Sequence, residues 1–315
     1  MSTPVQELPT AYKFACLYCL PLTRSAGTCP SPTLAVLFIA VLFHESCIMR
    51  SKSRAFLLAL PYMPKKTCVD SYNRVKCYAG SCIDSIPSIF LGERILGKYD
   101  SSIDQWDNIF SAETPAFPQA QSSGNIVFDK ALEWLTENTT SVLDFGCGNG
   151  IVLFLCALHG TTAHIGIDLS AQAIRNAKAA ACMAPCGEFH FECGSLEALQ
   201  RLASSSVDAV ILSNIIDNLY PEDAASVLSE IKRILRKNGR ILLKLNPYIT
   251  EAQIEAWGIR VIDGNLLDDG MILWNQTTEE WNAFLGAQFR IVHFEDIYYE
   301  EYAQYNRMYY LLNQC

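Results

Sequence analysis

Short apolar runs alternate with helix-like segments along most of the chain. The segment Ile126–Thr136 spaces its apolar residues at helical intervals, and further segments predict helices at 151–159, 171–181, 196–202 and 221–236. Between them, short apolar runs predict strands beginning at Val142 and at 164–167, 188–192, 207–213 and 240–245. Strands that alternate with helices of about ten residues are typical of a parallel sheet covered on both faces. The pattern therefore predicts a doubly wound α/β domain.

The C-terminal part departs from this alternation. Residues 258–275 predict two strands around the turn Asp268–Gly270, and a helix is expected at 278–285. The segments 289–299 and 307–313 predict a closing antiparallel pair. An antiparallel edge on an otherwise parallel sheet is common.

The first 92 residues differ in composition from the rest. They carry nine Lys or Arg against four Asp or Glu, whereas residues 93–315 carry 15 against 29. They also contain seven of the 13 cysteines and several prolines, without a sustained helical or strand period. We interpret 1–92 as a disordered or dispensable extension, or as an upstream stretch misread as coding, and 93–315 as the functional domain.

No membrane or metal function is indicated for this extension. Its longest apolar run, 34–43, has ten residues, whereas a bilayer requires ~20, and it lacks the arrangement of a secretory signal. Cys16 and Cys19 have the spacing of half a zinc site, but no second pair follows at a suitable distance. We therefore expect no metal and no firm membrane association.

Charge and cysteine usage narrow the class of protein. The net charge of −9 disfavours a protein that binds nucleic acid mainly through phosphate neutralisation. The six cysteines after residue 92 show no framework spacing, and several lie in apolar runs. These features are typical of a cytoplasmic enzyme with reduced thiols.

The candidate chemistry follows the first strand. Gly146, Gly148 and Gly150 form a turn that permits positive φ and lets a ligand approach the backbone. A dinucleotide fingerprint would need a further glycine at position 151 or 153, so NAD and FAD are disfavoured. Asp168 ends the second strand, where a carboxylate can accept hydrogen bonds from ribose hydroxyls.

Together, DFGCGNG at 144–150, GIDLS at 166–170 and VDAVILSN at 207–214 resemble the class I S-adenosylmethionine-dependent methyltransferases. The resemblance covers about residues 100–315. It implies a Rossmann-like sheet of seven strands with an antiparallel last strand. It also implies S-adenosyl-L-methionine as the cofactor. The complete glycine loop and the absence of a basic nucleic-acid face favour a small molecule as the methyl acceptor.

The resemblance assigns a cofactor contact to thirteen positions. It puts the methionyl part against the glycine turn, the ribose at Asp168, and the adenine beside Leu169 and the segment 194–196. Two residues at the C-terminal end of strand four would face the sulfonium and the substrate. The full set is Asp144, Gly146, Cys147, Gly148, Asn149, Gly150, Asp168, Leu169, Gly194, Ser195, Leu196, Ser213 and Asn214.

Methyl transfer from a sulfonium depends chiefly on proximity and alignment, so a dedicated catalytic residue is not required. If the acceptor needs a base, Asp217, Tyr220 and Tyr248 are the candidates, although each is also a common cap or loop residue. Oxygen, nitrogen, carbon and sulfur acceptors share these motifs, so the acceptor atom and the oligomeric state stay open. A noncatalytic S-adenosylmethionine-binding partner or regulatory protein is the alternative function.

Two aromatic residues precede the first strand. Trp106 and Phe110 lie where related enzymes lay a helix over the cofactor, but their four-residue interval favours a buried helix face.

The segment Asn246-Pro-Tyr248 is similar to a motif of amino methyltransferases that act on adenine or glutamine. In those enzymes the motif follows the fourth strand, whereas here the segment follows the fifth, which disfavours that subclass. We interpret the segment as a turn.

Overall fold

The computed structural model describes residues 92–314. Our predictions for residues 1–91, including the Cys16–Cys19 pair and the apolar run at 34–43, lie outside the described residues. Gly92 begins the first described helix, and the boundary between extension and domain stays a prediction.

One sheet contains seven strands: β1 (Ser141–Phe145), β2 (Ala163–Asp168), β3 (Glu188–Cys193), β4 (Val207–Ser213), β5 (Leu235–Leu245), β9 (Arg290–Tyr299) and β10 (Gln304–Leu312). They lie in the order β3-β2-β1-β4-β5-β10-β9. Neighbours among the first five are parallel, whereas β10 runs antiparallel to both β5 and β9. The predicted sheet with its antiparallel last strand is therefore confirmed.

Helices cover both faces of this sheet. Their bounds are α1 (Gly92–Ser111), α2 (Ile126–Thr136), α3 (Ile151–Leu158), α4 (Ala171–Ala181), α5 (Leu196–Gln200), α6 (Pro221–Ile234), α7 (Glu251–Trp257) and α8 (Thr278–Gly286). The apolar residues of α5, α6 and α8 pack against one face, and those of α2, α3 and α4 against the other. Within residues 92–314, no helix has both the length and the apolar character needed to cross a membrane.

A separate three-stranded sheet follows α7. Its strands are β6 (Arg260–Asp263), β7 (Leu266–Asp268) and β8 (Ile272–Trp274), in the order β6-β7-β8. The two predicted strands around Asp268–Gly270 correspond to β7 and β8. The sequence pattern did not reveal α7 or β6 because neither buries a continuous apolar face, and Val261 of β6 is 50% exposed.

Candidate cofactor-binding site

The glycine turn between β1 and α3 is held against the end of β2. The backbone N–H groups of Gly146 and Cys147 both donate to the carbonyl oxygen of Ile167, at 2.8 and 3.1 Å. Gly148 has a φ of +53°, and a Cβ there would lie 2.9 Å from Cζ of Phe110. A side chain at position 148 would therefore be strained and would collide with an aromatic ring.

Asp168 is fixed at the end of β2 by two backbone donors. Its Oδ2 accepts from the N–H of Gly148 and its Oδ1 from the N–H of Ser170, each at 2.8 Å. Burial raises the pKa of Asp168 to about 6, although these two hydrogen bonds act in the opposite direction. A carboxylate has about four lone-pair sites, so acceptor capacity remains for a ligand.

Two cavities meet at the glycine turn, and both are lined by Phe110, Gly146 and Gly148. The larger cavity extends along the ends of β2, β3 and β4. Among the thirteen predicted cofactor contacts, its lining includes Gly146, Gly148, Asp168, Leu169, Gly194, Ser195, Leu196 and Asn214. The smaller cavity lies on the α2 side of the turn, and its lining includes Asp144, Gly146, Cys147, Gly148, Asn149 and Ser213.

Gly150 is the one predicted contact that lies in neither lining. It precedes α3 with a φ of +82°, and its N–H donates to the carbonyl oxygen of Cys147. A Cβ at this position would lie 2.7 Å from Cζ of Phe191. Gly150 therefore shapes the turn and its packing.

Asp144 brings a second carboxylate to the site, and this one is buried. It is 2% exposed, and its Oδ1 has no hydrogen-bond partner. Burial raises its pKa well above the usual range, Asp168 raises it further, and Lys244 lowers it. A buried carboxylate oxygen without a donor is a suitable acceptor for a cationic ligand group.

Helix α1 covers the larger cavity. Tyr99, Ile103, Trp106 and Phe110 recur at helical spacing and all line it. The rings of Trp106 and Phe110 lie 5.9 Å apart. Phe110 is 2% exposed, as expected for a buried helix face, and it also lines the cavity.

Hydrogen bonds tie α1 to the helices beside it. Asp107 Oδ1 accepts from Ser170 Oγ at 2.5 Å and from the N–H of Gln172 at 3.0 Å, where α4 begins. The hydroxyl of Tyr99 donates to Asp223 of α6 at 2.7 Å and accepts from the N–H of Tyr220. The covering helix is therefore anchored on both sides of the cavity.

The three base candidates line neither cavity. Asp217 is completely buried, accepts from the N–H of Asn246 at 2.6 Å, and has its pKa raised to about 6 by burial. The ring of Tyr220 packs edge-on against that of Tyr99, and Tyr248 is 41% exposed. Their role as bases stays a prediction.

Several residues of the site were not identified from the sequence. Asn246, which we interpreted as part of a turn, accepts from Asn214 Nδ2 through its Oδ1 at 2.6 Å and donates through its Nδ2 to Asn218 Oδ1 at 3.2 Å. Asn214 and Asn218 both line the larger cavity. Other lining residues that the sequence did not single out include Ser102, Ile215, Leu219 and Met271 in the larger cavity and Phe128, Lys244 and Tyr299 in the smaller one.

The central part of the chain matches a known protein family. Residues 143–243 match the family model described as a methyltransferase domain. The chain is 29% identical over 157 residues to a ribosomal protein L11 methyltransferase from Shouchella clausii, covering 49% of this chain and 48% of that protein. It is 22% identical over 196 residues to the tRNA N(3)-methylcytidine methyltransferase trm140 of Schizosaccharomyces pombe, covering 59% and 64%.

A third relative is named for ubiquinone biosynthesis. The chain is 26% identical over 100 residues to a ubiquinone biosynthesis O-methyltransferase from Neisseria meningitidis, covering 32% of this chain and 41% of that protein. These matches span less than two thirds of the length of each relative. Among solved structures, a SAM-dependent methyltransferase from Methanosarcina mazei aligns with a TM-score of 0.47 at 19% identity, covering 55% of this chain and 92% of that one.

Proposed function

We propose that this chain, which contains a methyltransferase domain of the class I S-adenosylmethionine-dependent family, transfers a methyl group from S-adenosylmethionine to a small-molecule acceptor. One observation carries the proposal. Two cavities meet at a turn that a Cβ at position 148 would obstruct, and each contains a carboxylate, the partly buried Asp168 in one and the buried Asp144 in the other. A nucleoside joined to a cationic amino-acid group matches this pair of acceptors.

The residues that line the two cavities have suitable chemistry for each part of S-adenosylmethionine. Asp168 would accept hydrogen bonds from the ribose hydroxyls through its remaining lone pairs. Leu169 and the segment 194–196 would border the adenine, since they line the same cavity. Asp144, whose Oδ1 has no donor, would accept from the ammonium of the methionyl part. When bound, S-adenosylmethionine supplies a methyl group already activated by its sulfonium.

The protein's own contribution is alignment and exclusion of water. Apolar side chains dominate the larger cavity, and the rings of Trp106 and Phe110 cover it from α1. Asn214 is oriented by Asn246, which fixes a polar group at the end of β4 where the acceptor would approach. Positioning of this kind can contribute ~7–11 kcal/mol to lowering a barrier.

The enclosure of the larger cavity and the net charge of residues 93–315 support a small-molecule acceptor. A helix anchored at both sides over an apolar cavity favours a small acceptor over an extended chain. The net charge of residues 93–315, 15 basic against 29 acidic residues, disfavours RNA. Of the three relatives, the one named for ubiquinone biosynthesis matches this acceptor class. The same proposal assigns the protein to the cytoplasm, where buried thiols such as Cys147 and Cys156 remain reduced.

Calorimetry followed by an activity screen tests the proposal. The full chain is titrated with S-adenosylmethionine, S-adenosylhomocysteine and NAD, and we expect the first two to bind and NAD to fail. Methyl transfer is then measured against a metabolite panel, with L11 protein and transfer RNA as macromolecular acceptors. Transfer to a metabolite supports the proposal, transfer only to a macromolecule contradicts the acceptor class, and binding of neither cofactor form contradicts the proposal as a whole. Binding without any transfer would favour the noncatalytic alternative.

A further inference from the structure

The smaller cavity contains a buried ammonium group. Lys244, near the end of β5, is 4% exposed and lines this cavity. Its Nζ donates to the hydroxyl of Tyr299 at 3.2 Å and lies 5.1 Å from the centroid of that ring and 5.5 Å from the ring of Phe128. Two aromatic faces and one hydroxyl therefore hold a cation in position.

Lys244 is the only Lys or Arg among the residues that line the larger and smaller cavities of the described chain. A ligand with a carboxylate that occupies them therefore has one side-chain cation within reach. A buried charge of this kind is costly unless an opposite charge or several hydrogen bonds compensate it. Within residues 92–314, only the Tyr299 hydroxyl accepts a hydrogen bond from the Lys244 ammonium, which has three hydrogens to donate.

The glycine turn offers few competing donors for such a carboxylate. Five of its backbone N–H groups donate within the protein. Gly146 and Cys147 donate to Ile167, and Gly148 donates to Asp168. The N–H groups of 150 and 151 donate to Cys147 and Asn149 respectively. The side chain of Lys244 is therefore the better-placed donor in the smaller cavity.

Asp144 supplies a carboxyl acceptor in the same cavity. It lies on β1, and Lys244 lies on β5, with only β4 between them. Ser213 of β4 pairs in register with Lys244 and lines the cavity with both charged residues. The cavity thus presents a carboxyl group and an ammonium, which can receive the ammonium and the carboxylate of an α-amino acid.

We propose that Lys244 binds the carboxylate of the cofactor's methionyl group while Asp144 accepts from its ammonium. This inference rests on the proposed function and adds a binding residue that the sequence motifs do not contain. It also adds a selectivity: the site distinguishes the complete cofactor from its decarboxylated form, because only the complete form carries an anion that compensates Lys244.

Calorimetry with two ligands and four proteins tests this assignment. The ligands are S-adenosylhomocysteine and decarboxylated S-adenosylhomocysteine, which keeps the adenosine, the thioether and the ammonium. The proteins are the wild type, Lys244→Met, Lys244→Arg and the matched control Lys237→Met, which changes an exposed lysine on the same strand. Thermal melting of each variant reports whether it is folded.

We expect Lys244→Met to weaken S-adenosylhomocysteine binding by about 10- to 100-fold and to leave the decarboxylated ligand within about twofold. Lys244→Arg should retain most of the affinity because it keeps the charge, and Lys237→Met should match the wild type. If Lys244→Met does not fold, Tyr299→Phe, which removes the hydroxyl that holds the ammonium, should weaken S-adenosylhomocysteine selectively by a few-fold.

Equal losses for both ligands in a folded Lys244→Met protein would overturn the assignment, because they would indicate a general disturbance of the site. Unchanged affinity for S-adenosylhomocysteine with reduced methyl transfer would also overturn it and would assign the ammonium to the acceptor. A wild type that binds neither ligand would contradict the proposed function itself.

Discussion

The backbone N–H of Gly148 donates to the Asp168 carboxylate at 2.8 Å, which joins the glycine turn to the end of the second strand. The two sequence features that predict a cofactor site are therefore in direct contact. Because the turn and the carboxylate hold each other, a change at either one is expected to alter the shape of both cavities.

Cofactor affinity should depend on the ionisation of Asp168. Burial raises the pKa of this group to about 6, so the carboxylate is ionised above that pH and protonated below it. The ionised form has more acceptor sites for the ribose, and affinity for S-adenosylhomocysteine should fall as the pH drops below about 6, by at most tenfold per unit for one proton. Calorimetry between pH 5 and 8 measures this.

Asp168→Asn is the matched variant for that experiment, since it keeps the size of the side chain and removes the titrating proton. Its affinity should be lower than that of the wild type at pH 7.5, by about tenfold or more, and the part of the pH dependence due to Asp168 should be absent. An identical pH profile in the two proteins would exclude Asp168 as the group responsible.

Gly148→Ala should damage both the turn and the cavities. A residue other than glycine at a φ of +53° costs roughly 1–2 kcal/mol, and the added Cβ would meet Phe110 at 2.9 Å. We expect a lower melting temperature and a loss of at least about tenfold in S-adenosylhomocysteine affinity. Gly124→Ala is the control: its φ is also positive, but no atom lies within 4 Å of the added Cβ, so it should melt lower without losing affinity.

A ligand in the larger cavity should change the fluorescence of Trp106, which lines that cavity. Trp134 instead packs against Tyr310 and Arg240. We therefore expect S-adenosylhomocysteine to change the emission of the wild type and of Trp134→Phe, and to change that of Trp106→Phe much less. A full response in Trp106→Phe would show that the ligand does not contact α1 at this residue.

We expect Asp217 to stabilise the fold and not to act as a catalytic base. Its carboxylate accepts from the N–H of Asn246, which in turn orients Asn214, and it lines neither cavity. Asp217→Ala would leave that buried N–H without an acceptor and should lower the free energy of unfolding by about 1–3 kcal/mol in chemical denaturation. Asp217→Asn keeps an acceptor oxygen and should lose less. A fully folded Asp217→Asn protein that has lost all methyl transfer would instead indicate a base.

Much of the fold was predictable because local pattern and tertiary structure agree. Ile126–Thr136 has the predicted bounds, since its apolar stripe is the face that packs on the sheet. The start of β5 was not predictable, because the strand begins at Leu235 instead of residue 240. Its pairing with β4 shifts register in this stretch, where Asn238 has a φ of +61°. Such an irregularity depends on the neighbouring strands and produces no periodic pattern of apolar residues in the sequence.

The residues of the site also include some that the sequence predicted and some that it did not. The glycine turn and Asp168 were recognisable because their chemistry is confined to short segments at strand ends. Lys244 and Tyr299 were not, because they lie 55 positions apart and meet only through the pairing of β5, β10 and β9. A periodic signal existed for α1, where positions 99, 103, 106 and 110 share one face, but the pattern alone does not reveal that this face borders a cavity.

The most direct test of the central claim is a crystal structure of the full chain with S-adenosylhomocysteine. The account predicts that the adenosine occupies the larger cavity, with the ribose hydroxyls within hydrogen-bond distance of Asp168 and the amino-acid group on the Asp144 side of the glycine turn. A ligand bound elsewhere, or in these cavities with its ribose away from Asp168, would contradict it.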